Sequence, residues 1–503
     1  MRKLWLNVLL VVVSVALCTV AAECIVRFLD SESDSGPATR HLDEIALASG
    51  VERAWFFADP APLPNRRAVS QEWLDLVRDV ERSGVTDGTR RADMFKAWNS
   101  NFVGDPCRHA YLCGAPGHLY LYDPPSGEAR PPYRFMPNAT TPIGLVTNAY
   151  GFRGPPVPFA RQPRTVRIAF IGASTTVGNH YFAYSYPEFV GNWLNMWAAF
   201  HKLDVTFEVL NAGRESITSS DNVAIVRDEV LPLQPDLLVY YEGANQFDLR
   251  TLVPEVPYTA GMTLAAGEHC PAAPAGGGTT ETSGGWLASL ESESALLRRV
   301  RALVASGNTA AGGGEWAKRD YTLVWPKGVD ERDPDITRPD LPINLPTVLH
   351  DLDAIRAAGN AAGAELVLAS FFWLVRDGMA LHPIRHRSIL EYLNQGYAPF
   401  RYRDLERMAA FENRVFAKYA QMHELAFIDV ARLLPFDPDL FVDAIHNNYA
   451  GERLRAWVFL QGLVPIVERH LKSGAWPRKV RGATNPAPTF KPRPITFACT
   501  GKS

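Results

Sequence analysis

From residue 166 onward, short apolar runs alternate with stretches of helical periodicity. The runs are VRIAFIG at 166–172, VTFEVLN at 205–211, DLLVYYEG at 236–243, AELVLAS at 364–370 and LAFIDV at 425–430. The helical stretches between and after them cover 186–202, 219–230, 344–362, 404–423 and 449–471. Strands buried on both faces are nearly continuous in apolar residues, because helices cover a parallel sheet on each side. The pattern therefore predicts an α/β fold with a mostly parallel five-stranded sheet.

The first thirty residues follow a different pattern. Arg2 and Lys3 precede an apolar run from Leu4 to Ala22. About 19 residues at 1.5 Å each approach the thickness of the hydrocarbon core, and a basic start favours a cytoplasmic N-terminus. We therefore expect residues 1–30 to be a single-pass transmembrane signal anchor in the inner or cytoplasmic membrane, with the rest on the periplasmic or extracytoplasmic side. A cleaved signal peptide is the alternative, since Val20-Ala21-Ala22 suits cleavage.

Three other regions flank or interrupt the α/β pattern, which we assign to residues 156–475. Residues 31–155 are irregular and are predicted to be an accessory N-terminal region. An insertion at 250–340 carries Gly-rich pieces around an amphipathic stretch, which indicates a lid or a spacer. Residues 476–503 are basic and Pro-rich, so we expect an extended tail.

Composition and charge narrow the possible partners. The 503 residues are 47% hydrophobic and 21% charged, which is typical of a globular protein. A formal net charge of -3 gives no electrostatic reason to expect nucleic acid as a partner.

Four cysteines lie beyond the first thirty residues, in what we expect to be an oxidising compartment. Cys107 and Cys113 are the natural disulfide pair, and Cys270 with Cys499 is a second candidate pair. A zinc site formed by the first pair with His109 and His118 is the alternative, although the spacing matches no familiar zinc pattern.

The end of the first predicted strand carries a candidate nucleophile. The sequence Gly172-Ala173-Ser174 places Ser174 in a small-residue turn at the C-terminal edge of a parallel sheet, where open α/β sheets bind ligands. A hydroxyl needs an adjacent base, usually an imidazole oriented by a carboxylate. Asp443 and His446 follow the fifth strand on a loop that returns to the same edge. The sequence therefore predicts Ser174 as nucleophile, His446 as general base and Asp443 as the residue that orients it.

The second and third strands end in similar small-residue turns. Gly213 closes NAG after the second strand, and Asn245 closes GAN after the third. Acyl transfer needs hydrogen-bond donors where the oxyanion develops. The Ser174 amide, the Gly213 amide and the Asn245 side chain can supply three donors of an oxyanion hole.

The ordered set GAST, NAG, GAN and DAIH resembles the four blocks of the SGNH/GDSL hydrolase superfamily over about residues 165–472. TNAYGFRG at 147–154 is similar to the lead-in of membrane-anchored bacterial members. The resemblance implies a three-layer α/β/α sandwich of the flavodoxin-like type, a serine esterase activity with the site residues just named, and neither a cofactor nor a metal. Ala173 stands where many members have the Asp of GDS, and Gln246 stands where many have the Asp of GxND. In these two blocks the sequence is more similar to the branch that acts on sugar acyl groups.

Export and resemblance together imply hydrolysis of O-acyl esters, such as O-acetyl esters, on a cell-envelope or secreted polysaccharide. The partners are then an acylated carbohydrate or other small ester and, through the N-terminal helix, the membrane. Two alternatives stay open: an O-acyltransferase on the same fold, and a non-catalytic carbohydrate-binding or assembly subunit. Intact Ser174, Asn245, Asp443 and His446 argue against the non-catalytic alternative.

Three other histidines have no predicted catalytic role. His382 and His386 have the spacing of metal ligands on a helix, but Pro383 interrupts that helix, so we expect a structural or lid role. His180, six residues after Ser174, is expected to be a surface histidine or one satisfied by protein contacts.

Overall fold

The computed structural model of the chain describes most of the predicted α/β region and parts of what flanks it. The described residues are 7, 10, 11, 13–15, 17–25, 36–61, 63, 121–123, 131, 134, 135, 137–140, 145–180, 183–253, 313–318, 320–383, 385–479 and 491–493.

A five-stranded parallel sheet forms the centre of the described structure. Its strands are β3 (Thr165–Gly172), β4 (Thr206–Asn211), β5 (Leu237–Tyr241), β6 (Glu365–Ala369) and β7 (Ala426–Ile428), in the order β4-β3-β5-β6-β7. Every residue of β3 and β5 is buried, which explains why their sequences are nearly all apolar. The predicted α/β fold with a parallel five-stranded sheet is confirmed, and the strands lie within two residues of their predicted bounds.

Helices cover both faces of the sheet. Among the described residues from 36 onward, the α-helices are α1 (Gly36–Arg40), α2 (Ser174–Val177), α3 (Tyr186–Phe200), α4 (Ser219–Ile225), α5 (Leu345–Ala362), α6 (Arg387–Glu391), α7 (Tyr402–Met422), α8 (Val430–Leu433) and α9 (Tyr449–Lys472). On one face α3 packs against α9, with Trp193 against Trp457 at 5.1 Å between ring centroids. On the other face α4 packs against α5, and the Tyr419 hydroxyl of α7 donates to Asp353 of α5 at 2.8 Å.

Shorter elements complete the described part. The 3₁₀ turns are Arg53–Phe57, Leu231–Leu233, Ala244–Gln246, Leu249–Thr251 and Pro438–Leu440, and π-helical turns cover Val226–Val230 and Tyr392–Gly396. A small antiparallel sheet joins β1 (Leu121–Asp123) to β2 (Arg134–Phe135) and to β8 (Lys491–Arg493). The third strand of this sheet lies within the predicted tail.

Residues 36–61, part of the predicted accessory region, pack on the face formed by α3 and α9. The Trp193 indole donates to Ala58 O at 3.2 Å, and the Trp197 indole donates to Ser49 O at 3.0 Å. Phe56 is 2% exposed and stacks on Trp193. These residues therefore share the hydrophobic core of the α/β domain.

Within the predicted membrane anchor, residues 17–25 are helical and leave Leu17, Val20 and Ile25 exposed. None of the helices in the described ranges is both long and apolar enough to cross a membrane. The described residues therefore do not support the predicted transmembrane helix, and several residues of the apolar run lie outside them.

Other predictions also fall outside the described residues. These include most of the 250–340 insertion, from 254 to 312, and the cysteines of both disulfide candidates and of the zinc alternative. The described end of the insertion is docked on the domain, since Trp325 packs edge-on against Phe411 of α7 with 5.1 Å between ring centroids. The predicted tail begins docked as well: Arg478 Nε donates to the buried Asp236 carboxylate at 2.5 Å.

Candidate active site

The turn after β3 presents Ser174 at the carboxyl edge of the sheet. Ser174 is the first residue of the short helix α2 and is half-buried. A side chain at Gly172 would place a Cβ 2.2 Å from Tyr241 O and 2.4 Å from Thr176 Oγ1, so only glycine fits. Thr176 Oγ1 also donates to Tyr241 O at 2.7 Å. These contacts hold the base of α2 against the neighbouring strand β5.

A tight turn carries Asp443 and His446 to the same edge. Val442 N donates to His446 O at 2.8 Å, which closes the turn. The Asp443 Oδ1 atom accepts the backbone amides of Ile445 at 2.9 Å and His446 at 2.8 Å. The backbone of the turn therefore holds the Asp443 carboxylate in place independently of its contact with the imidazole.

The three predicted catalytic side chains form one hydrogen-bonded chain. His446 Nε2 lies 2.8 Å from Ser174 Oγ, and His446 Nδ1 lies 2.8 Å from Asp443 Oδ2. Burial would raise the pKa of Asp443, but the His446 ring and the two turn amides outweigh it and lower that pKa. An ionised Asp443 accepts the Nδ1 hydrogen of a neutral imidazole, which leaves the Nε2 lone pair facing the serine hydroxyl.

The three predicted oxyanion donors differ in the hydrogen bonds that they already make within the protein. The Ser174 amide belongs to the first residue of α2 and so has no acceptor within its own helix. Asn245 Nδ2 donates one hydrogen to Ile217 O at 2.8 Å, and its second hydrogen is left for another acceptor. The single Gly213 amide hydrogen is donated to Asn211 Oδ1 at 3.1 Å. Two of the three predicted donors thus have a hydrogen to offer, while Gly213 is paired within the protein.

Gly213 is required for close packing. A Cβ there would lie 2.5 Å from Val177 N and 2.9 Å from the Thr176 carbonyl carbon, both backbone atoms of α2. Any larger residue would push α2, and Ser174 with it, away from the sheet.

Two residues support the site without having been predicted to do so. Asn211 donates from Nδ2 to Thr176 O at 3.1 Å and to Val177 O at 3.3 Å while it accepts the Gly213 amide. Glu242 accepts the Asn245 backbone amide at 3.2 Å. Asn211 begins the NAG block and Glu242 directly precedes the GAN block, but only the fold determines which partner each side chain binds.

Glu242 is part of a buried acidic cluster behind Asn245. Its carboxylate accepts Gln246 Nε2 at 2.7 Å and the Tyr240 hydroxyl at 3.3 Å. Burial raises the pKa of Glu242 to about 7, even though these donors oppose the shift. Glu412 of α7 is 1% exposed, and burial followed by the charge of Glu242 raises its pKa well above the ordinary value. Burial therefore favours the protonated, uncharged form of the two glutamates.

The other histidines contact protein groups. His386 Nε2 lies 2.9 Å from Asp439 Oδ1, and the His382 ring accepts the Arg385 amide at 3.1 Å. No group of three or more metal-ligating side chains occurs among the residues that the structure describes. His180 is fully buried beside Glu215, and desolvation followed by the charge of Arg153 lowers its pKa.

Solved structures of similar architecture include an acetylxylan esterase from Geobacillus stearothermophilus. It is 13% identical with a TM-score of 0.30, and the alignment covers 59% of this chain and 94% of that one. A putative GDSL-like lipase from Parabacteroides merdae is 14% identical with a TM-score of 0.30, covering 61% and 98%. An α/β hydrolase from the metagenome of Lake Arreo is 15% identical with a TM-score of 0.29, covering 59% and 94%. No protein-family model and no curated protein matches the chain.

Replacing Asp443 with Asn should disable the imidazole. An amide at this position donates where the carboxylate accepts, so the ring adopts the wrong tautomer toward Ser174. We expect phosphonylation of Ser174 by a fluorophosphonate probe to slow by about 10⁴-fold. Asp437→Asn is a matched control, because Asp437 also contacts a histidine, His41, at 2.9 Å but lies outside the site. Equal labelling rates in the two variants would contradict the assignment of Asp443.

Gly213→Ala should destabilise the fold and misplace the nucleophile. The added methyl group meets backbone atoms of α2 rather than a movable side chain, so we expect the free energy of unfolding to fall by about 1–3 kcal/mol. Chemical denaturation measures the change. Gly396→Ala is the control, since a Cβ there meets nothing within 4 Å. An unchanged free energy of unfolding in Gly213→Ala would show that the close approach of residue 213 to α2 is not required.

The acidic cluster should make stability fall as pH rises. Between the ordinary glutamate pKa of 4.5 and about 7, folded Glu242 holds a proton that the unfolded chain releases, so the free energy of unfolding decreases over that range. Glu412, whose pKa is raised in the same direction, adds to the decline. Glu412→Gln removes one titration without losing a hydrogen bond and should flatten the decline between pH 5 and 8.

Chemical denaturation at several pH values tests this prediction. Glu424→Gln is the control, because Glu424 is exposed just beyond the end of α7. An unchanged pH dependence of the free energy of unfolding in Glu412→Gln would contradict the contribution of Glu412.

Proposed function

We propose that this chain is a serine esterase of the SGNH/GDSL type. The observation that supports the proposal best is the continuous hydrogen-bond chain from Asp443 through His446 to Ser174, with 2.8 Å on each side of the imidazole. A hydroxyl held against the Nε2 atom of a carboxylate-oriented histidine is the arrangement that activates serine for acyl transfer. The Ser174 amide and the Asn245 side chain are the hydrogen-bond donors that we propose for the developing oxyanion.

The reaction follows from these contacts. His446 Nε2 takes the Ser174 proton as Oγ attacks the ester carbonyl, and Asp443 stabilises the imidazolium that forms. The Ser174 amide and the Asn245 side chain donate to the tetrahedral oxyanion. His446 then protonates the leaving alcohol, and a water molecule, deprotonated in the same way, releases the acid and restores the serine. The Gly213 amide joins the donors only when its bond to Asn211 opens.

The substrate class that we propose is an O-acyl ester, such as an O-acetyl ester, on a cell-envelope or secreted polysaccharide. Its support is the similarity of the GAST and GANQ blocks to the branch that acts on sugar acyl groups, together with the expected export. We propose that the N-terminal helix tethers the chain to the inner or cytoplasmic membrane, with the catalytic domain outside the cytoplasm. The basic start and the apolar run after it support this location.

Hydrolysis of p-nitrophenyl acetate by the full-length chain in detergent tests the activity. Ser174→Ala should lower kcat to near the uncatalysed background, a loss of about 10⁶-fold, because no other group replaces the nucleophile. Ser370→Ala is the matched control: Ser370 directly follows β6 and donates to the Asp429 carboxylate at 2.8 Å. We expect that variant to retain activity. Equal, negligible rates in the unmodified chain and Ser174→Ala would rule out the esterase.

An acetylated oligosaccharide then tests the substrate class. Acetate released by the unmodified chain and not by Ser174→Ala supports a carbohydrate esterase. Transfer of the acyl group to an added oligosaccharide acceptor, detected by mass spectrometry, would instead identify an acyltransferase.

A further inference from the structure

The segment TNAYGFRG at 147–154 has no role in the chemistry described above, yet the fold places it at the edge of the sheet beside the site. Arg153 forms an antiparallel bridge with Asn211, the last residue of β4. Asn148 shapes the preceding turn, since its Oδ1 atom accepts the amides of Tyr150 at 2.9 Å and Phe152 at 3.1 Å. The turn therefore delivers Arg153 to the strand that ends in the NAG block.

The guanidinium of Arg153 binds the far end of the nucleophile helix. Its Nη1 atom donates to Val177 O at 2.8 Å and to Asn179 O at 3.0 Å, and the residue is 2% exposed. These carbonyls flank Gly178, where a Cβ would lie 3.3 Å from the same nitrogen. A buried cation at the carbonyl end of a helix is favourably placed, because that end carries partial negative charge.

The segment that Arg153 binds, residues 177–179, lies between the helix of Ser174 and the turn of His446. Val177 ends α2, the helix that begins with Ser174. Two residues later, the Asn179 side chain donates to Asn447 O, in the residue that follows His446. Arg153 therefore binds residues 177–179, which follow Ser174 in the chain and contact the turn of His446 through Asn447.

We propose that Arg153 is a positioning residue that sets the separation of Ser174 Oγ and His446 Nε2. Without it, Val177 O loses a charged donor and the Gly178 turn loses its anchor, so both α2 and the contact with Asn447 become free to shift. Nucleophile and base must lie within hydrogen-bond distance for proton transfer, and a displacement of about 1 Å lowers rates by about 100-fold. This inference rests on the proposed esterase function.

The test uses Arg153→Ala and Arg153→Lys in the full-length chain with p-nitrophenyl acetate. For Arg153→Ala we expect kcat to fall about 100-fold with KM nearly unchanged, and millimolar guanidinium to restore part of the rate. Arg153→Lys keeps the charge with a shorter reach, so kcat should fall by about tenfold. A crystal structure of Arg153→Ala should show the Ser174 Oγ to His446 Nε2 separation lengthened beyond hydrogen-bond distance.

Arg161→Ala is the matched control. Arg161 is also buried, but it donates to Thr165 O at 3.1 Å and to Asp236 at 2.9 Å, at the opposite end of β3. We expect Arg161→Ala to lower the melting temperature while the folded enzyme keeps its kcat.

The outcomes separate the two proposals. An inactive unmodified chain would overturn the esterase function itself. With an active chain, unmodified kcat in either Arg153 variant, or an equal loss of kcat in Arg161→Ala, would overturn only the role of Arg153. If Arg153→Ala does not fold, Arg153→Lys alone decides the matter through its kcat and KM.

Discussion

The hydrogen bond between His446 Nε2 and Ser174 Oγ joins two turns that lie 272 residues apart in the chain. A bond of 2.8 Å tolerates little displacement, so both turns must be fixed independently before they meet. The parallel sheet provides the common reference, because its strands all end at one edge. Close packing at Gly172 and Gly213 then fixes the serine side, and the amides around Asp443 fix the histidine side.

The site is supported by buried polar groups whose presence is unfavourable for stability alone. Glu242 and Glu412 are each 1% exposed, and burial raises the pKa of both. Arg153 is a buried cation that satisfies two backbone carbonyls. Apolar residues of similar volume would cost less to bury. Glu242 contacts the Asn245 backbone, and Arg153 contacts the turn that follows Ser174.

The described residues 36–61 bring the N-terminal region onto the α/β domain. Residues 36–61 pack on α3 and α9, and His41 contacts Asp437, six residues before Asp443. The first described residues of this segment therefore lie near Asp437, which precedes the turn of Asp443 and His446 in the chain.

The sequence alone determined the alternation of strands and helices, since burial on both sheet faces leaves continuous apolar runs and burial on one helix face leaves a periodic stripe. It also predicted Ser174, Asp443 and His446, because these residue types follow strands whose ends share an edge. Only the tertiary structure decided that the Gly213 amide is given to Asn211, that Glu242 lies behind Asn245, and that Arg153 reaches Val177. Each of these contacts joins side chain to backbone across a turn or between distant segments. Local pattern determines which face of an element is buried, whereas packing of several segments selects the partner of each polar atom.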